Sequence, residues 1–132
     1  MRRGNDSPME KRRLRVLVAD DDHDLVTSLA LLLRAEGHEV LGIHHGGDVV
    51  ETVGDFAPDV LLLDIGLPQK SGYEIVRALR ERYGSARPVI VAITGRGGPA
   101  AQRLSEMVGF DRHFTKPFEP KELLTALSSL VR

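Results

Sequence analysis

The chain has 132 residues, the scale of one compact domain, and its 42% apolar share is enough for a real core. Its 18 basic residues nearly balance 19 acidic ones, for a formal charge of −1, so it lacks a polyanion-binding footprint and nucleic acid is not an expected partner. It has no cysteine, which removes disulfides, thiolate chemistry and cysteine-ligated zinc, and no apolar run approaches a membrane span. The basic "MRR" start runs into polar residues, against a secretory signal; a cytoplasmic location without a membrane partner is expected.

Residues 1–13 read as a loose polar leader and 14–132 as one domain. "RVLVA" (15–19) is a short apolar strand. "HDLVTSLALLLRAEG" (23–37) carries Leu25, Leu29, Leu32 and Leu33 at helical spacing and ends on Gly37, a C′ residue. "EVLGI" (39–43) is a strand, "GDVVETVGDF" (47–56) a short helix and "DVLLLD" (59–64) a strand. "GYEIVRALRERYG" (72–84) is a helix with Ile75, Val76 and Leu79 on one side, closed by Gly84. "PVIVAIT" (88–94), "PAAQRLSEMVG" (99–109, with Pro99 in its first turn), "RHFT" (112–115) and "PKELLTALSSLVR" (120–132) continue the alternation. Strand and helix alternate five times over short connections, which predicts an α/β fold with a parallel sheet covered by helices on both faces.

In such a sheet ligands bind beyond the carboxyl ends of the strands. Those ends hold Asp20-Asp21-Asp22, Asp64, Thr94 and Lys116-Pro117. Each alone has an ordinary reading: Asp22 or Asp24 caps the next helix, Asp64 accepts turn N–H groups, Lys116 is a surface lysine. Their meeting at one edge has a different logic. Converging carboxylates raise each other's pKa, and a hard divalent cation with oxygen preference, Mg²⁺ or in its place Mn²⁺, relieves the repulsion. Asp64, a charge ending an apolar strand, then reads as a nucleophile able to form an acyl phosphate, with cation and lysine neutralising the transferring phosphoryl group.

These residues resemble the receiver domain of two-component response regulators, from Arg15 to Arg132, through "VLVADDD", "LLLDIGLPQKSGYE", "VAITG" and "GFDRHFTKPF". The resemblance implies a doubly wound, flavodoxin-like five-stranded sheet of order 2-1-3-4-5. It implies a phosphorelay signalling domain rather than an enzyme. Asp64 accepts a phosphoryl group from a histidine kinase or histidine phosphotransfer protein; Asp20 and Asp21 form the metal pocket, with Asp21 the direct ligand; Gly66 lends its carbonyl to Mg²⁺. Thr94 and Lys116 contact the phosphoryl oxygens, and Lys116-Pro117 is cis. Output to a downstream protein partner is expected through the 99–132 face.

This chain departs from the family where a Tyr or Phe switch residue is common: the position is His113, polar and titratable near neutral pH. Gly66 and Gly95 place no side chain over the site, so open access and a phosphoaspartate lifetime sensitive to bulk at 66 are expected. "GRGGP" (95–99) reads as a hinge before the 99–108 helix. The chain reads as a stand-alone receiver or a piece of a hybrid kinase. Other readings are a phosphorylation-independent interaction module and an aspartate-nucleophile phosphatase, the latter needing a second Asp where Gly66 stands. His38, His44 and His45 read as surface histidines.

Overall fold

The computed structural model describes residues 13–95 and 97–130. The expected leader, apart from Arg13, and the last two residues of the expected closing helix lie outside the described residues. The described elements are β1 (Arg15–Ala19), α1 (His23–Ala35), β2 (Glu39–Ile43), α2 (Val49–Phe56), β3 (Val60–Asp64), α3 (Gly72–Tyr83), β4 (Val89–Thr94), α4 (Pro99–Val108), β5 (Arg112–Thr115) and α5 (Pro120–Leu130). A single 3-10 turn, Gly46–Asp48, precedes α2, where the sequence suggests continuous helix from 47. All strands pair in parallel, in the order β2-β1-β3-β4-β5. The predicted α/β architecture is the observed one.

Period-two alternation along each strand sorts side chains into two cores. Val16, Val18, Leu62, Val91 and Ile93 pack under α1 and α5 through Leu29, Leu33, Leu123 and Leu127. Leu17, Leu61, Leu63, Ile90 and Ala92 pack under α2 and α3 through Val53, Ile75 and Leu79. Leu61, Leu62 and Leu63 are fully buried, each worth about 1.5–3 kcal/mol. That drive carries β3 through the middle of the sheet and delivers Asp64 to its edge.

The helix stops follow local chemistry. At the end of α1, Gly37 adopts φ 95°; its N–H reaches Arg34 O at 2.9 Å and the His38 N–H reaches Leu33 O at 3.1 Å, a Schellman closure. The buried stripe of α1 is Val26, Leu29, Ala30 and Leu33. Leu32, expected on that stripe, is 38% exposed, because i, i+3, i+4, i+7 counted from Val26 passes it by. Ser71 and Glu74 form a reciprocal capping box that starts α3. Gly72 is required there: a Cβ would stand 2.7 Å from Ile65 Cα. The start of α3 is thereby pressed against the residue after Asp64.

Candidate functional site

The carboxyl ends of β1, β3, β4 and β5 converge on one crevice. Asp20, just past β1, is wholly buried; its Oδ1 accepts the Asp22 N–H at 2.9 Å. Its Oδ2 takes no oriented hydrogen bond from the described residues, and its charge is met by the Lys116 ammonium at 2.9 Å. Asp64 is 6% exposed. Its Oδ1 accepts the Gly66 N–H at 3.0 Å, and its Oδ2 lies 3.8 Å from Lys116 Nζ. Asp21 is exposed at the rim. One carboxylate oxygen from each of Asp20, Asp21 and Asp64 lies within 4.8 Å of the others.

The electrostatics follow from this crowding. Burial pushes Asp64 up to about 6; the Gly66 N–H and Lys116 pull against it, while Asp20 and Asp21 add to the rise. For Lys116, burial favours the neutral amine, but the contact with Asp20 and the charges of Asp20, Asp64 and Asp21 outweigh it, so its pKa lies above the ordinary value. The donor set is all oxygen, strongly negative and partly uncompensated. That chemistry fits a hard divalent cation.

Thr94 ends β4, 8% exposed, and lines with Asp64 and Gly66 a groove of about 570 Å³ that runs under α4. Position 66 is open: a Cβ there would meet only Asp64 Oδ1, at 3.8 Å, and one at Gly95 would meet nothing. Lys116-Pro117 is cis, as expected, and so is Arg87-Pro88, which the sequence reading did not anticipate. Asp22 caps α1, its Oδ1 accepting the Leu25 N–H at 3.2 Å.

His113 pairs in register with Ala92, on the face covered by α2 and α3. It is half-buried; its Nε2 is buried without a hydrogen bond among the described residues, and burial holds its pKa below the ordinary value.

Some features were missed. The groove wall is completed by Tyr73, Ala100, Ala101 and Leu104; the small pair Ala100-Ala101, two residues after a glycine run, is the only sequence hint of a recess. Two of the three histidines read as surface residues are half-buried and hydrogen-bonded to backbone. His38 Nδ1 accepts the Leu14 N–H at 3.0 Å, and His44 Nδ1 bonds the Asp20 carbonyl at 2.9 Å. Partners 24 positions away leave no mark in local spacing. His45 alone is exposed.

The family model "Response regulator receiver domain" matches residues 16–128. The DNA-binding response regulator MtrA of Mycolicibacterium smegmatis is 35% identical over 124 residues, covering 94% of this chain and 53% of that protein. The transcriptional regulatory protein CpxR of Escherichia coli is 34% identical over 118 residues, covering 89% and 49%. The chain thus spans about half the length of the curated relatives it matches. Among solved structures, the BeF3-activated N-terminal receiver domain of Klebsiella pneumoniae RstA superposes with TM-score 0.83 at 28% identity, covering 89% of this chain and 98% of that one. The chemotaxis response regulator CheY4 of Vibrio cholerae gives TM-score 0.83 at 25% identity, covering 91% and 100%. The chain belongs to the response regulator receiver domains, a family of regulatory phosphoacceptors in two-component signalling and not of classical enzymes.

Proposed function

We propose that Asp64 is the phosphoacceptor of this domain and that Asp20, Asp21, Asp64 and the Gly66 carbonyl hold one Mg²⁺, or Mn²⁺ in its place. The single observation that carries this is the meeting of three carboxylates within 4.8 Å, with Lys116 Nζ placed against two of them. The cation, when bound, neutralises charge on the phosphoryl oxygens. A carboxylate oxygen of Asp64 bonds to phosphorus while the P–N bond of a donor phosphohistidine breaks, and the ring leaves as neutral imidazole, keeping the proton already on its other nitrogen. The Gly66 N–H fixes the other carboxylate oxygen, orienting Asp64 for in-line attack. Thr94 and Lys116 take the transferred oxygens, and the open position at Gly66 admits donor and water.

The donor is a histidine kinase or histidine phosphotransfer protein. Charge gained at Asp64 draws Thr94, and His113 and α4 follow, changing the 99–132 face read by a downstream protein. Residues 14–132 form the receiver and 1–13 a leader. The curated relatives are named as DNA-binding or transcriptional regulators; the balanced charge that argues against nucleic acid speaks for these 132 residues alone. Among the described residues no helix is long and apolar enough to cross a membrane; a cytoplasmic setting follows from the proposed phosphohistidine donor and not from that absence.

Incubation with acetyl phosphate and Mg²⁺ tests the reading. One phosphoryl mass should appear, be lost to hydroxylamine, require the divalent cation and vanish in Asp64→Asn. Labelling that persists with chelator or in Asp64→Asn rules the reading out.

A further inference from the structure

The segment His44-His45-Gly46-Gly47 carries none of the site's chemistry, yet it touches both halves of the acidic crevice. The His44 Nδ1–H donates to the Asp20 backbone carbonyl at 2.9 Å; a carbonyl only accepts, so the ring proton sits on Nδ1. The imidazole is stacked on His23, with centroids 3.8 Å apart and planes 14° from parallel. The preceding carbonyl, of Ile43, accepts the Asp20 N–H at 3.1 Å. Residues 43 and 44 therefore hold both backbone polar groups of Asp20.

The other end of the segment grips the loop after Asp64. The Gly46 N–H donates to Pro68 O at 3.1 Å, and the Gly47 N–H to Gln69 Oε1 at 3.3 Å. The fit is tight: a Cβ on Gly46 would stand 2.6 Å from Lys70 O and 2.9 Å from Pro68 O. Sheet hydrogen bonds align β1 and β3 only as far as Leu63. Beyond that, the spacing of the two acidic loops needs another restraint.

We propose that residues 44–47 are a brace that sets the separation of Asp20 and Asp21 from Asp64, with His44 as its positioning residue. The proposal rests on the reading of that cluster as a Mg²⁺ and phosphoryl site. Groups that orient metal ligands from outside influence affinity strongly, and a site loosened by an ångström loses much of its function.

The test is Mg²⁺ titration of the full chain without phosphodonor, followed by acetyl phosphate labelling across Mg²⁺ concentrations. His44→Ala should weaken Mg²⁺ binding about tenfold and raise the Mg²⁺ needed for half-maximal labelling equally. The rate at saturating Mg²⁺ should stay within about twofold of wild type, which separates lost cation affinity from lost chemistry. His44→Asn, whose amide offers an N–H near the Nδ1 position, should recover most of the affinity, and His45→Ala should match wild type. Gly46→Ala, which forces the two loops apart, should weaken Mg²⁺ binding independently of His44. Wild-type Mg²⁺ affinity in both His44→Ala and Gly46→Ala overturns the brace. Failure of the wild-type chain itself to bind Mg²⁺ overturns the underlying reading instead.

Discussion

Lys116 Nζ stands 2.9 Å from Asp20 Oδ2 and 3.8 Å from Asp64 Oδ2, so at rest the ammonium is closer to the fully buried Asp20 carboxylate than to the proposed phosphoacceptor. Lys116→Met should leave Asp20 as a buried, uncompensated charge. The loss expected is about 2–3 kcal/mol, at the low end for a broken buried pair because Lys116 is partly exposed. Urea unfolding should show this in chelator, with the gap narrowing in Mg²⁺. Asp20→Asn added to Lys116→Met should recover part of it. Equal losses with and without Mg²⁺ would contradict the assignment.

Asp64 gives the metal-free protein a distinctive pH dependence. Its native pKa of about 6 lies above the ordinary carboxylate value of 3.8, so the folded state holds the proton more tightly than the unfolded chain. Ionising Asp64 then destabilises the fold: stability falls as pH rises from about 4 to 6, by about 2–3 kcal/mol. Asp64→Asn should be the more stable protein at pH 7 and should lose that advantage near pH 4. Mg²⁺ should flatten the wild-type slope. Thermal melts in chelator and in Mg²⁺ read both effects.

His113 contributes the opposite slope. Burial depresses its native pKa below 6.5, so the neutral ring's contribution is present above that pH and is lost on acidification below it. His113→Phe also removes a buried nitrogen without a hydrogen bond, and should raise stability by about 1 kcal/mol at neutral pH and by more below pH 6. A variant no more stable than wild type at pH 5.5 would place the ring elsewhere.

Gly66 governs access. A side chain there starts 3.8 Å from Asp64 Oδ1, so Gly66→Met should shield the acyl phosphate from water. Its hydrolysis should slow about tenfold, equivalent to about 1.4 kcal/mol in the barrier. Decay of the labelled mass with time measures it, and an unchanged rate removes the idea of open access.

Much of the architecture was legible because hydrophobic period and strand-end chemistry are local. "VLLLD" and "VIVAIT" read directly as central strands, and Gly37 and Gly84 as helix stops. The candidate cluster was legible because the topology puts the strand ends at one edge. Long-range partners were not: His44 at Asp20, His38 at Leu14 and the press of Gly72 on Ile65 depend on loop paths that no spacing encodes. Leu32 was misplaced because five leucines among the nine residues 25–33 blur the phase of a helix, and only packing against β1 and β2 sets its rotation.

The most direct measurement is to trap the labelled protein with borohydride, which reduces an acyl-phosphorylated aspartate to homoserine, and to sequence the peptides by mass spectrometry. The account predicts homoserine at position 64 and nowhere else. Homoserine at 20, 21 or 22, or none in a chain that carries the label, would contradict it.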